Sequence, residues 1–387
     1  MLHAIKKSNA RGQSLQILPV EKRKSLRAFI RLPWNIYSND SAWIPPLLLE
    51  RHQHLSHKNP FFEHAQHRLW VAYRGGVPVG RISAQVDDLH LNRYQDDTGF
   101  FGMIESENEL ETWQGLLNSA ENWLRKQGMR RILGPFNLSI NQECGLLVDG
   151  FDRPPALMMG HARPYYGPMM EQNGYMKTRD LLAYLLDANF KTPPVMTALT
   201  ERMTQRIRIR PLRLSHFVED LKIIRDIFED AWSKNWGFIP FTQKEFDHMG
   251  KDLKLLVDEK LVQIAEVDGE SAAMIVVLPN INEILKDLNG RLLPFGWLKL
   301  LWRLKVAYPK SARVPLMGVR RRYHDSLIGS ALAFMIIDVV RRHGLQRGIQ
   351  KVELSWILED NTGMRNIIES MGGAAYKRYR IYQKNLV

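Results

Sequence analysis

The sequence predicts an α/β fold made twice over, as two similar domains in tandem. Three observations predict it. At 387 residues the chain is longer than one hydrophobic core usually organises. Its apolar and charged fractions, 45% and 25%, are those of a globular protein that buries a core in each half. A strand-and-hairpin pattern near the start also returns in the second half at an almost constant offset.

The repeat opens with a short strand, "LQILPV" ending at Val20, which resembles "RIRIRPL" ending at Leu212. Next, "VAYRGGVPVGRI" from Val71 resembles "IAEVDGESAAMI" from Ile264, and each reads as a β-hairpin with apolar β-formers on both sides of a glycine turn. Pro19 matches Pro211, Ala72 matches Ala265, Gly76 matches Gly269 and Ile82 matches Ile275, an offset of about 192 to 193 residues. Two helices follow, "ETWQGLLNSAENWLRKQG" and "GSALAFMIIDVVRRHG", with apolar residues at helical spacing and cations in the last turn. They are expected to close at Gly128 and Gly344. The offset there is about 216, so the second half carries roughly 23 extra residues before this helix. The final elements, "YYGPMMEQNGYMKTRDLLAYLLD" and "NTGMRNIIESMGGAAYKRYRIYQKNL", each read as a helix, a closing glycine and a strand. Their offset of about 199 gives the first half its own extra segment of roughly 17 residues between Gly128 and Gly174. The expected domains are 1–190 and 191–387, joined near Pro193 and Pro194.

A formal charge of +13 favours a polyanionic partner, whether nucleic acid, an anionic bilayer or a phosphorylated cofactor. Cys144 is the only cysteine, which excludes an intramolecular disulfide and a Cys-rich metal site and fits a cytoplasmic setting. The first residues have cations but no apolar run behind them, so no secretory signal is expected. His52, His54, His57, His64 and His67 cluster in sequence, yet their spacing fits no zinc pattern, and no metal is expected.

The extra segment of the second half, about 285–310, contains "RLLPFGWLKLLWRLK". No Asp or Glu occurs from Leu288 to His324, and cations interrupt the apolar residues too often for a membrane span. An interfacial helix is expected, with Trp297 and Trp302 at headgroup depth, Leu298 and Leu301 in the acyl region, and Lys299 and Arg303 facing anionic lipid. The alternative is a core helix whose cations snorkel to water.

"VPLMGVRRRYHDSLIGSALAFMIIDVVRRHG" followed by "VELSWILEDNTGMRNIIESMGG" resembles the cofactor-binding core of the GNAT superfamily, the acyl-CoA N-acyltransferases. The whole chain resembles a tandem form of that fold, which implies a mixed β-sheet flanked by helices in each half. A strand ends at Val319, a loop with Arg320, Arg321 and Arg322 follows, and a helix opens around Ser326, Leu327, Ile328, Gly329 and Ser330. Free N–H groups and the positive end of a helix dipole suit a pyrophosphate. The arginines can add charge-assisted contacts, although such runs are often only solvated charge. Asn361, at the start of the next helix, completes the expected cofactor contacts. Two departures stand out: His324 and Leu327 occupy loop positions where the superfamily usually has Gln or Arg and Gly, and Ile368 stands where many members keep a tyrosine acid.

In the first half, "GPFNLSINQECGLLVDGFDRPPALMMGHARPYY", the "GRI" after the first hairpin and "GFFGMIE" resemble the subgroup containing bacterial ceramide synthase. The resemblance implies transfer of a long fatty acyl group from acyl-CoA to the amine of a sphingoid base such as 3-oxosphinganine; with the interfacial helix, the enzyme is expected to be peripheral on the inner membrane face. The second half would bind acyl-CoA while the first supplies the acceptor side.

An ammonium must lose a proton before it can attack a thioester, so a base is needed. Glu143, His161 and His90 are the candidates, each also explicable as a structural turn or imidazole. Tyr165 and Tyr166 are placed to orient the acceptor or simply to pack. Cys144 reads as an inert buried thiol, since direct attack by an amine needs no acyl-enzyme. Two other readings stay open, an aminoacyl-tRNA-dependent transferase and a non-catalytic membrane-binding protein of the same fold.

Overall fold

The computed structural model describes residues 13–191, 194–203 and 205–386; the first twelve residues and Pro193 lie outside them. By internal contact the chain divides into two units. The first is the chain up to Asp180 with Leu288–Arg291 and the terminal stretch from Arg378; the second is Leu181–Asp287 with Leu292–Lys377.

The first unit runs β1 (Leu15–Pro19), α1 (Arg23–Ile36), α2 (Leu48–His54), β2 (Ala65–Arg74), β3 (Val77–Asp87), α3 (Asp88–Tyr94), β4 (Thr98–Ser106) and α4 (Leu110–Lys126). Four short strands follow, β5 (Arg131–Gly134), β6 (Phe136–Asn137), β7 (Glu143–Cys144) and β8 (Leu146–Asp149), then α5 (Tyr166–Gln172) and the start of β9 (Met176–Asp187). Strands β1 to β4 pair antiparallel in chain order, β4 pairs parallel with β5, and the carboxy-terminal residues of the chain pair with β5 and β8. The buried stripe of α4, with Trp113, Leu116, Leu117, Ala120 and Leu124, recurs at three- and four-residue intervals as an amphipathic helix requires.

In the second unit, Leu181–Asp187 of β9 is followed by α6 (Pro194–Met203), β10 (Ile207–Pro211), α7 (Phe217–Trp232), α8 (Gln243–Leu253), β11 (Val262–Val267) and β12 (Glu270–Pro279). Next come α9 (Asn282–Leu285), α10 (Gly296–Lys305), β13 (Ser311–Val319), α11 (Leu327–Gln346), β14 (Lys351–Leu358), α12 (Thr362–Ser370) and β15 (Ala374–Asn385), whose last part from Arg378 belongs to the first unit. Strands β10 to β13 pair antiparallel in order, β13 and β14 are parallel, and β14 meets β9 antiparallel. One apolar layer lies under α11, with Ile275, Val314, Leu332, Ile336 and Leu354; the opposite layer, with Ile224, Phe228, Phe246 and Met274, lies under α7 and α8.

The repeat is exact in strand register. Ile17 pairs with Ala72 in the first unit, and Ile209 pairs with Ala265 in the second. The turns agree as well, since Gly76 and Gly269 both adopt positive φ, 74° and 87°. The expected helix end at Gly344 is corrected. Helix α11 continues to Gln346, and the left-handed residue that closes it is Gly348, at φ 82°. Gly344 is buried inside the helix, where a Cβ would lie 3.6 Å from Ile349 Cδ1.

Candidate active site

The parallel pair β13 and β14 dictates the shape of the second unit's site. The strands pair from Ser311 with Lys351 to Val314 with Leu354 and then part, although β13 continues to Val319 and β14 to Leu358. The result is a fork with its apex at Val314 and Leu354. Its α11 side is apolar, with Met317, Val319, Ile328 and Ile357 packed against the core. On the other side the Trp232 indole donates to Met317 O at 3.3 Å and lies 6.0 Å from the Trp356 ring, so an aromatic pair links the two diverging strands.

Past β13 the chain turns into α11. Ser326 is the N-cap, its Oγ accepting from Gly329 N at 3.1 Å, while the N–H groups of Leu327, Ile328 and Ser330 also belong to the first turn. A Cβ on Gly329 would strike Tyr323 O at 2.0 Å, so this glycine is needed by the loop's own return. Leu327, in place of the superfamily's glycine, points into solvent at 64% exposure. Arg320 pairs with Asp226 and donates to Ser271 O at 2.7 Å, Arg322 pairs with Glu270 at 2.6 Å, and Arg321 N donates to Asp230 at 2.8 Å. Asp226 and Glu270 are well exposed, and exchanging such a surface partner for a phosphate costs little. Asn361 caps α12 by accepting from Met364 N at 3.1 Å, and Ile368 is fully buried.

The first unit has the same parting of parallel strands, but here it is filled. β4 and β5 pair only from Thr98 to Phe100, and the segment that follows the short β5 occupies the gap. Met103 N donates to Asn137 Oδ1 at 2.7 Å, Gln85 Nε2 donates to Phe136 O and Leu138 O, and a Cβ on Gly102 would lie 1.8 Å from Phe136 O.

This inserted segment assembles a cluster of ionisable groups. Glu143 Oε2 accepts from Asn137 Nδ2 at 2.9 Å, and its other oxygen pairs with Arg51 at 3.2 Å. Burial pushes the Glu143 carboxyl up, but Arg51 and Asn137 prevail and hold it below the usual range. Tyr166 and Tyr37 both donate to Glu105 Oε2, at 2.7 and 2.6 Å, and Arg81 lies 3.7 Å from Oε1. For Glu105 burial wins over Arg81 and the tyrosines, so its carboxyl is raised, with the charge of Glu143 adding to the rise. His161 Nε2 is 3.0 Å from Asp40 Oδ2, which also accepts from Arg163 at 3.1 Å, and the His161 ring lies 5.4 Å from Tyr37. Tyr165 donates to Ser106 O at 2.7 Å.

Glu143, His161 and Tyr166 therefore share one neighbourhood, centred on Glu105 and Tyr37. His90 does not join them: it contacts Asp96 at 3.0 Å and stacks on Tyr94, and burial lowers its pKa. His54, His64 and His67 contact Asn137 O, Asp87 and the Phe62 ring respectively. Cys144 is buried.

Glu105 is the residue sequence reasoning missed, although it closes "GFFGMIE"; a lone acid at the end of an apolar strand is a weak signal. A second missed group lies near the fork apex. Glu353, 3% exposed, accepts from Tyr376 and Ser355, and Arg313, equally buried, donates to Ser355 Oγ at 2.8 Å.

Helix α10 and the turn before it expose apolar side chains: Leu293 and Phe295 in the turn, and Trp297, Leu298, Leu301 and Trp302 on the helix, while Leu304 turns inward. Lys299 and Arg303 both pair with Asp287, the last acid before the acid-free stretch, so they tie α10 to the turn that precedes it. Among the described residues no helix is long and apolar enough to cross a membrane.

The repeated unit, with its parting parallel strands and the capped helix that follows, defines a tandem GNAT fold. A tandem GNAT protein from the clavulanic acid pathway matches with a TM-score of 0.57 at 12% identity, over 97% of this chain and 99% of that one. A GCN5-related N-acetyltransferase from Sphaerobacter thermophilus gives 0.53 at 14% identity, over 96% of both chains. Sequence relatives narrow the class. The chain is 44% identical to the bacterial ceramide synthase of Caulobacter vibrioides over 96% of its length and 98% of the relative's, and 48% identical to protein YghO of Escherichia coli over 94% of each. No model of a known protein family matches the sequence. The chain belongs to the family of these two relatives and is an acyltransferase of GNAT fold.

Proposed function

We propose that this protein transfers a long-chain fatty acyl group from acyl-CoA to the amine of a lipid, a sphingoid base such as 3-oxosphinganine. The observation that carries the reading is the open fork between β13 and β14 beside the amino-terminal turn of α11. A thioester arm laid in the fork meets the edge of β13 that β14 leaves past Val314, where Met317 O and Val319 O already have side-chain partners in Trp232 and His324, and the N–H groups of the α11 turn and the arginines before it suit its phosphates. The amine acceptor is argued from the family, whose Caulobacter member is a ceramide synthase.

In this reading residues 191–387 hold the donor and residues 1–190 are the acceptor side, where the gap that could take a cofactor is filled. The neutral amine attacks the thioester carbonyl, a C–N bond forms, the C–S bond breaks, a base takes the ammonium proton, and the thiolate leaves to be protonated by water. Among the candidates on the acceptor side, Glu105 has the carboxyl raised by burial, as a base for the acceptor's ammonium needs, whereas Glu143 is held ionised by Arg51, His161 is paired with Asp40 and His90 is enclosed with Asp96. Val319, whose following residue Arg320 donates its N–H to Ala272 O on β12, offers its own backbone N–H on the fork side to the oxyanion. The apolar face of α10 rests on the inner membrane surface, where a lipid acceptor is found.

The test is purified protein in mixed micelles with palmitoyl-CoA and 3-oxosphinganine, sphinganine, lysophospholipid or spermidine, following free thiol and amide mass. Amide on a long-chain base supports the reading. Thiol release with spermidine alone contradicts the lipid acceptor, and no release with any amine contradicts the donor.

A further inference from the structure

The parting of β13 from β14 is built by particular residues. Continuing the parallel register of Arg313 with Glu353 and Val314 with Leu354 would set Pro315 against Ser355. Proline has no N–H to give a ladder, and within sheets it is found at edges and bulges. Both strands bulge at this point. Val314 and Pro315 stand against the single Val277 of β12, and Ser355 and Trp356 stand against the single Ala183 of β9. Ser355 is thus the first residue of β14 without a strand partner on β13.

The Arg313 guanidinium takes the place of that partner. Its Nη2 donates to Ser355 O at 3.0 Å and its Nε donates to Ser355 Oγ at 2.8 Å. Ser355 in turn donates to Glu353, which also accepts from Tyr376. Arg313, Glu353 and Ser355 are 4%, 3% and 3% exposed, so these bonds form away from water, where a bond to a charged donor is strong and its loss is costly. Burying an arginine carries a desolvation penalty, and a strand pair can end without one.

We propose that Arg313 is a positioning residue of the donor site: its guanidinium fixes the bulged Ser355 at the apex and so sets the opening in which the thioester lies. The proposal rests on the reading that the fork holds an acyl thioester. Arg313 acts through its neighbours, not on the reacting atoms. It holds Ser355 and, through the same bulge, Trp356, whose ring lies 6.0 Å from Trp232. Ser355 O is bonded to a side chain, as Met317 O is to Trp232 and Val319 O to His324, and a carbonyl so occupied repels a thioester oxygen less.

The experiment compares the wild type, Arg313→Lys and Ser355→Ala by calorimetric binding of coenzyme A and by hydrogen exchange of the peptide from Ser355 to Leu358, with circular dichroism to confirm folding. Lysine keeps a cation opposite Glu353 but lacks the fork that reaches both Ser355 atoms, so it would rescue a role in charge alone. Arg313→Lys should bind coenzyme A about tenfold more weakly, as the loss of bonds to a charged donor implies, and its peptide should exchange faster. Ser355→Ala keeps the bond to its backbone oxygen and should change both readouts less and in the same direction; it decides the matter if Arg313→Lys does not fold. Adenosine 3′,5′-bisphosphate, which has phosphates without the arm, should be held alike by all three proteins. Folded variants that exchange as the wild type does would overturn the tie. Unchanged affinity for coenzyme A, or equal weakening of both ligands, would make Arg313 a structural residue only. A wild type that does not bind coenzyme A removes the donor reading instead, whatever the exchange shows.

Discussion

The Tyr166 hydroxyl donates to Glu105 Oε2 at 2.7 Å, and this bond favours the ionised carboxylate against the burial that raises its pKa. Removing the bond should move the balance. Tyr166→Phe is expected to shift the acid limb of the pH–rate profile to higher pH, because Glu105, as the proposed base, has to be ionised to accept a proton. An unchanged limb with uniformly lower activity would make Tyr166 a packing residue only.

Glu105 and Glu143 should separate when each carboxylate is removed. Glu105→Gln is expected to lower kcat by about a hundredfold or more, the usual contribution of a positioned base. Glu143→Gln leaves Arg51 without its inserted partner and should cost about 2 kcal/mol of stability at neutral pH. The Glu143 carboxyl is lower in the folded chain than in the unfolded one, so this contribution is present above the unfolded value and is lost as pH falls through the folded one. Denaturant unfolding at pH 7 and at pH 3, with rate measurements on both variants, distinguishes the two roles.

Asp220, fully buried, holds the start of α7 to β10 through Arg210 and Arg213. Burial pushes its carboxyl up, but the two guanidiniums bring it down to about 2 from an ordinary 3.8. Asp220→Asn should therefore destabilise by about 2 kcal/mol at pH 7. The sign follows from the lowered pKa: the stabilisation is complete above 3.8 and disappears as pH falls through about 2. The difference between variant and wild type should shrink across that window in thermal unfolding.

Membrane association should depend on apolar side chains of α10 more than on its cations. Leu301→Glu with Trp302→Glu is expected to abolish cosedimentation with vesicles of mixed neutral and anionic lipid. Lys299→Gln should weaken it less, since Lys299 is occupied by Asp287. Equal losses would assign binding to charge.

Much of the scaffold was legible because strand periodicity and glycine turns are local. The matches of Ala72 with Ala265 and Gly76 with Gly269 survive as equal register and equal turn geometry. The end of α11 was misread because Gly344 has the right composition around it, but its burial against Ile349 is a tertiary fact, and Gly348 supplies the turn. Glu105 was hidden for a similar reason. Its partners Tyr37, Arg81 and Tyr166 come from separate elements, and no spacing connects them. The fork was equally invisible, because it consists of pairing that stops after Val314 and Leu354. Asp287 shows the limit of reading charge by stretches: it stands one residue before the acid-free run and holds two of its cations.

The most direct test of the central claim is a stoichiometric one, using enzyme in molar excess over palmitoyl-CoA with sphinganine in micelles. Free thiol, amide product and the intact mass of the protein are followed together. Direct attack predicts one thiol per amide, formed at the same rate, with no palmitoyl adduct on the protein. Thiol release ahead of amide, with an adduct at Cys144 or elsewhere, would contradict direct transfer, and absence of both products would contradict acyl-CoA as donor.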